Sequence, residues 1–246
     1  NPNPEESRLE NWKVNIVGGF IFIAKDPFFS LNEQLGNEVI SLIELIGLSL
    51  NKCESVKTIK YKSSWLIAVE NALEPYHLIS IHPKSLNELN LDDGINKLWD
   101  WASLWNASTN KRLHNSLKNL KKGVSSKVNI DGYWSLYLYP FVQISSTGGL
   151  SFAIQTFDPF DNPEIEKTTF NTTLYSPILK DNSIGNSLIS FYKSVSELNN
   201  KVFSEDAEIC SKVPLSSWDF SPLKYSSHLE KKVDHFKKCC RKVINL

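Results

Sequence analysis

The order of elements along the chain predicts an α+β domain, in which an antiparallel β-sheet packs against one long helix toward the C-terminal end. Two observations carry this expectation. Residues 133–179 hold consecutive strand-like runs (YWSLYLYP, FVQIS, LSFAIQTF and EKTTFNTTLYSP), separated by Gly148-Gly149 and a DPFDNP turn. Strands that follow one another through short turns pair antiparallel. Residues 186–213 then place Val195, Leu198, Val202, Ile209 and Val213 on one face of a helix. No internal repeat and no linker-like stretch divides the 246 residues, so one domain over 1–246 is expected.

The earlier elements read as follows. Residues 13–24 (KVNIVGGFIFIA) form a strand pair or a bulged strand around Gly18-Gly19; neither phosphate-loop pattern accompanies those glycines. Residues 31–48 carry Leu35, Val39, Leu42, Ile43 and Ile46 at helical spacing. Residues 54–62 alternate as a strand does. Ser63 and Ser64 offer an N-cap to a helix over 65–81 with Leu66, Val69 and Leu73 on one face, interrupted or ended by Pro75 and Pro83. Residues 94–105 (GINKLWDWASLW) read as helix, 106–129 as a loop without strong period, and 228–244 as a short basic helix.

Composition excludes several classes. Lys plus Arg and Asp plus Glu are both 27, so the formal charge is zero and a dedicated nucleic-acid binder is not expected. Hydrophobic residues make up 41%, which excludes a disordered chain. The longest apolar stretch, residues 16–24, falls well short of the ~20 residues a membrane helix needs. Cys53, Cys210, Cys239 and Cys240 make no C-x-x-C pair, two of them are adjacent, and no signal peptide opens the chain, so the cytoplasm is expected. Two N-x-S/T sequons, at Asn106 and Asn171, carry no weight in an Asn-rich chain. The absence of Met points to a fragment or a processed chain.

Chemistry concentrates in two places. Within ENALEPYHLISIH (70–82), Asn71, Glu74 and His77 share a helix face opposite the apolar stripe, which by itself describes a solvated face. His82 instead sits among Leu78, Ile79, Ile81 and Pro83. In a continuous helix, positions five apart point about 140° away from each other, so both imidazoles meet one metal only where the helix breaks. A purely structural role for both competes with metal binding. On the long helix, the apolar stripe needs a residue near 206 and finds Glu205-Asp206 instead. A carboxylate on a buried stripe requires a cationic partner, a backbone partner or a metal. Two histidines and a carboxylate form the facial triad of non-haem Fe(II) oxygenases.

The segment ENALEPYHLISIHPKSL resembles a signature of Rieske non-haem iron oxygenases, the ring-hydroxylating oxygenase α subunits, with the pattern E-N-x-x-E/D-x-Y-H-x4-H. GGFIFIAKDP resembles the start of that family's catalytic domain, VFSEDAEICSKV (202–213) its acidic helix and HLEKKVDHFKK (228–238) its C-terminal segment. The resemblance implies a helix-grip fold (START/Bet v 1-like), with the sheet wrapped around the long helix. It implies that His77, His82 and Asp206 ligate one Fe(2+), with Glu205 the neighbouring alternative to Asp206. Glu74 would bridge electron transfer from another subunit, and Asn71 would lie near the iron.

A Rieske [2Fe-2S] centre needs Cys-x-His and Cys-x-x-His, and neither occurs here, so that centre is expected on a missing or separate domain. The implied reaction takes electrons from NAD(P)H through a reductase or ferredoxin and uses O2 on a small organic substrate. A homotrimer is implied as well. Pro214 stands where relatives often carry Gln. Trp134, Tyr137, Tyr139, Phe141, Phe152 and Phe157 lie on strands that could line a pocket, although such aromatics are more often core. His114, His228 and His235 fall outside the matching motifs. The competing classes are a helix-grip ligand-binding module without redox chemistry and a zinc hydrolase, the latter lacking H-E-x-x-H.

Overall fold

A computed structural model describes residues 11–159, 167–180, 184–223 and 227–244. The chain opens with a hairpin of β1 (Lys13–Val17) and β2 (Phe20–Ala24), turned by Gly18 and Gly19 at φ 58° and 82°. The glycine pair therefore makes a tight turn, because both positions need a left-handed backbone. Helix α1 (Leu31–Gly47) is capped by Ser30, whose hydroxyl accepts from the Glu33 N–H while the Glu33 carboxylate accepts from the Ser30 N–H. It buries Leu35, Val39, Ile43 and Ile46.

Hairpin and helix touch at Gly47, where an added Cβ would lie 1.7 Å from the Gly18 carbonyl oxygen. Gly47→Ala is therefore expected to cost about 3 kcal/mol, as overpacking does. Urea unfolding reads this as a lower midpoint at unchanged slope. An unchanged midpoint would mean that the two segments part freely.

Strand β3 (Lys52–Tyr61) leads to α2 (Trp65–Leu73), capped by the Ser64 hydroxyl as the sequence suggested. A 3-10 turn over Pro75–His77 and the short α3 (Leu78–Ile81) follow. Residues 94–105 are not helical. They form β4 (Ile95–Leu98) and part of β5 (Ala102–Ala107), an antiparallel pair joined by a turn in which the Trp99 N–H donates to the Ala102 carbonyl. The apolar residues there mimic a helical spacing, but β5 pairs along its whole length with a later strand, which no local period reports.

The stretch 106–129 is not a loop either. Asn110 caps α4 (Lys111–Lys121), whose Leu113, Leu117 and Leu120 point into a small core, and β6 (Val124–Ser125) follows. Its i, i+4, i+7 stripe is narrow and diluted by Lys and Asn, which hid it.

The remaining strands are β7 (Tyr133–Leu138), β8 (Val142–Thr147), β9 (Ser151–Asp158), β10 (Thr168–Ser176) and β11 (Ile178–Leu179). The DPFDNP turn lies largely outside the described residues. The main sheet has seven strands in the order β3-β10-β9-β8-β7-β5-β4, every neighbour antiparallel. Helices α5 (Gly185–Cys210) and α6 (Lys231–Ile244) complete the chain.

The architecture is thus α+β, with a large antiparallel sheet and one long helix. Helices cover both faces of the sheet. On one face, Leu104, Leu136, Ile144 and Phe152 pack against α1; on the other, Tyr137, Phe157 and Phe170 pack against α2, α5 and α6 through Val69, Phe203 and Phe236. On α5 the buried stripe runs through Leu188, Tyr192, Val202, Phe203 and Cys210; Val213 lies past the helix end and is exposed. Among the described residues, no helix is long and apolar enough to cross a membrane.

Candidate metal centre

The local sequence places the two histidines by ending a helix early. Pro75 has no N–H to continue α2, so the helix stops at Leu73 and the extended Glu74 starts a new turn. The Glu74 carboxylate accepts from the His77 N–H at 3.1 Å. One short helical turn later the chain leaves α3, and His82 caps it with φ −114° and ψ 43°. The break at Glu74-Pro75 and the non-helical His82 together remove the angular conflict of a continuous helix.

Both imidazoles thereby meet α5. The His77 and His82 Nε2 atoms lie 3.2 Å apart, and Asp206 Oδ1 lies 3.0 Å from His82 Nε2 and 3.5 Å from His77 Nε2. His82 is completely buried, and the Asp206 side chain is 13% exposed. Asn71 on α2 donates its amide to Asp206 Oδ1 at 2.8 Å. Glu74 also reaches the other side of the His77 ring, with Oε2 3.3 Å from Nδ1.

Glu205 and Asp206 separate into different positions. Glu205 sits behind His82, accepting from its Nδ1 at 2.8 Å and from the Ser85 hydroxyl at 2.7 Å. That contact directs the Nε2 lone pair of His82 toward Asp206 and His77.

Electrostatics follow from this packing. Burial disfavours a charge on His77, yet its bonds to Asp206 and Glu74 outweigh burial and raise it to about 9. His82 is raised in the same way, with Asp206 the main opposing influence. Burial pushes Asp206 up, and the two imidazoles overcome it and hold the carboxyl below its usual range. A buried carboxylate that gathers two imidazoles this tightly is a place for positive charge, supplied by protons or by a cation.

The donor set fits a metal ion. His77, His82 and Asp206 each offer one atom, all within 4.8 Å of one another. Two metal–ligand bonds of about 2.1 Å at a right angle put their donor atoms about 3.0 Å apart. The observed triangle of 3.0, 3.2 and 3.5 Å lies at that spacing. Three donors on one side leave the other side open.

A cavity of about 70 Å³ adjoins the triangle. None of the six strand aromatics named from the sequence lines it. Trp134 and Phe152 point to the α1 face, Tyr137 and Phe157 belong to the core, and Tyr139 and Phe141 pack around Trp101, Trp65 and Phe236. Its aromatic walls are Trp105, Tyr133 and Phe203 instead, joined by Ser135, Gln143, Gln155 and Lys232. Strand alternation puts Tyr133 and Ser135 on the site face, and Gln143 pairs directly with Gln155 across β8 and β9. Polar residues inside otherwise apolar strands were the available signal for these. Lys232 had one too, standing four residues before the buried Phe236 on α6.

The other histidines stand apart. His228 pairs with Asp93 at 3.1 Å on the surface, His235 is buried against the Trp99 carbonyl, and His114 lies on α4.

Lys232 is only 1% exposed, and burial pushes its ammonium down to about 7. Its folded value lies below its unfolded one, so the unfolded chain binds more protons between about pH 7 and 10.5 and stability from this group rises with pH across that window. Lys232→Met is expected to flatten that rise and to be the more stable chain at neutral pH, by on the order of a few kcal/mol. Denaturant unfolding at several pH values checks this, and an unchanged slope would contradict it.

Comparison with known proteins gives fold but no family by sequence. No family model matches the chain, and no curated protein does. Solved structures do. The quaternary ammonium Rieske monooxygenase CntA, in complex with an inhibitor, superposes with TM-score 0.65 at 17% identity, over 94% of this chain and 61% of that one. NdmA of Pseudomonas putida with caffeine gives 0.52 at 16%, over 97% and 63%. Naphthalene 1,2-dioxygenase from a Rhodococcus species, bound to indole, gives 0.52 at 12%, over 92% and 66%. The chain has the fold found in these Rieske oxygenase structures and spans about three-fifths of the length of the monooxygenase.

Proposed function

We propose that the chain is the catalytic domain of a Rieske-type oxygenase, in which His77, His82 and Asp206 hold one Fe(II) and a small organic substrate is hydroxylated, dihydroxylated or oxidatively demethylated with O2. The observation that carries this reading is the 3.0–3.5 Å triangle of two imidazoles and one carboxylate beside a cavity. The shared fold with mono- and dioxygenase structures supports it. Iron bound there would supply the activation of O2, the hard part of the chemistry. The residues do the rest. Asn71 fixes Asp206 by donating to Oδ1, Glu205 fixes the ring of His82, and Glu74 fixes that of His77. Leu73, Leu86, Val202 and Phe203 give the cavity an apolar side, and Trp105 and Tyr133 give a substrate flat walls.

On this reading electrons come from NAD(P)H through a reductase or ferredoxin and a [2Fe-2S] centre. None of the four cysteines has the histidine spacing to hold that centre, which places it on a separate domain or protein. Glu74 then faces the donor side, and a homotrimer brings that donor from a neighbouring subunit. This reading takes the chain as one domain of the helix-grip kind, with the cytoplasm as the compartment that keeps its cysteines reduced.

Oxygen uptake by the iron-loaded chain with a Rieske reductase system, screened over small organic molecules, tests the reading. A substrate-stimulated uptake that disappears in His82→Ala is expected. A helix-grip binding module gives no stimulated uptake with any of them.

Glu205 provides a graded check. Glu205→Gln keeps the volume but removes the charge behind His82, and Fe(II) affinity is expected to fall by about 10- to 100-fold while saturating iron still gives one ion per chain. A complete loss of the site would instead make Glu205 the third ligand.

A further inference from the structure

The cavity holds a second group of polar side chains, hydrogen-bonded to one another rather than to the donor triangle. The Lys232 Nζ donates to the Ser135 carbonyl at 2.8 Å and to its hydroxyl oxygen at 3.0 Å. Gln143 donates its amide to the same hydroxyl oxygen at 2.8 Å. An oxygen that accepts twice has only its own O–H left to give, so the Ser135 proton is free for an acceptor in the cavity.

Gln143 is 5% exposed, and its Oε1 has no hydrogen-bond partner among the described residues. No carboxylate among the described residues pairs with Lys232. A buried ammonium without a counter-ion and a buried amide oxygen without a donor are both costly in a resting fold. A Leu or Met at 232 would occupy this buried position without that cost. Both residues line the cavity beside the donor triangle.

We propose that Lys232, Ser135 and Gln143 form a floor for a carboxylate carried by the substrate, so that the site acts on small organic acids; the proposal rests on the oxygenase reading of the donor triangle. The carboxylate accepts from the Lys232 ammonium and the Ser135 hydroxyl. Gln143 keeps its amide N–H on the Ser135 hydroxyl oxygen, which leaves the Ser135 proton for the acid, and its Oε1 accepts from a donor group beside the acid. One end of the substrate is thereby tethered, and its carbon chain extends along Trp105 and Tyr133 toward the triangle.

Butyrate and its neutral isostere butyramide, titrated by calorimetry into the Fe(II)-loaded chain and into the metal-free chain, test this. Butyrate is expected to bind wild type about tenfold or more tightly than butyramide, as a charge-assisted bond gives. Lys232→Met removes that preference, Ser135→Ala weakens butyrate more than butyramide because the charge-assisted bond is the stronger, and both variants keep one iron per chain. The second variant retains Lys232 and stands in if the first fails to fold. Equal binding of the two probes by wild type, no butyrate binding, or a preference that survives Lys232→Met overturns the proposal. Failure to take up iron with the butyrate preference intact overturns the oxygenase reading alone.

Discussion

Asp206→Ala is expected to lower Fe(II) affinity by more than about 100-fold, because on the proposed reading it removes a ligand where loss of an outer contact alone costs about 10- to 100-fold. It is expected to abolish turnover with it. Asp206 is the meeting point of the centre: both imidazoles and the Asn71 amide converge on its Oδ1. Without it, His77 and His82 face each other at 3.2 Å with no carboxylate on the triangle side, those of Glu74 and Glu205 lying behind the two rings. Fe(II) titration followed by metal analysis checks this. Full occupancy in the variant would show that the two histidines and some other group make the site. Asp206→Asn separates charge from shape, since it keeps an oxygen donor and loses the anion.

Glu74→Gln has the second largest expected effect, and on turnover alone. Gln can still accept from the His77 N–H through its carbonyl, so the turn over Pro75–His77 and the bound iron are expected to persist. What is lost is the negative charge against His77 Nδ1, the side of the ring that faces away from the triangle. If electrons arrive there, turnover falls by about 100-fold or more, in line with the loss of a charged contact made in the rate-limiting state, with iron content near wild type. Equal turnover in the variant would remove Glu74 from the electron path and leave it a cap and ring-orienting group.

The sequence already held most of this centre, for identifiable reasons. Pro75 and Pro83 announced a broken helix, and the break is what lets residues five apart converge. Asp206 stood out as a carboxylate where α5 needed an apolar residue, and the structure accounts for it with two imidazoles and an amide. The choice between Glu205 and Asp206 was beyond the sequence: neighbours on a helix differ by about 100° in direction, and only the tertiary contacts with His82 Nδ1 and Ser85 place Glu205 behind His82.

The sheet was legible where strands followed one another and illegible where pairing was distant. Residues 95–107 join the sheet through β7, some 30 positions on, and their local spacing imitates a helix. The cavity walls were missed for a related reason. Tyr133, Ser135, Gln143, Gln155 and Lys232 come from three strands and a terminal helix, and nothing short-range links them. The aromatics that stood out instead were those of the cores, which strand alternation sends to the wrong face or too far along the right one.

Whether His77, His82 and Asp206 bind iron decides the proposed function. Metal content by mass spectrometry on anaerobically purified protein, before and after incubation with Fe(II), tests it most directly. About one iron per chain is expected in wild type and none in Asp206→Ala. No iron after incubation would contradict it and favour a ligand-binding module, and zinc held in preference to iron would contradict it in favour of hydrolytic chemistry.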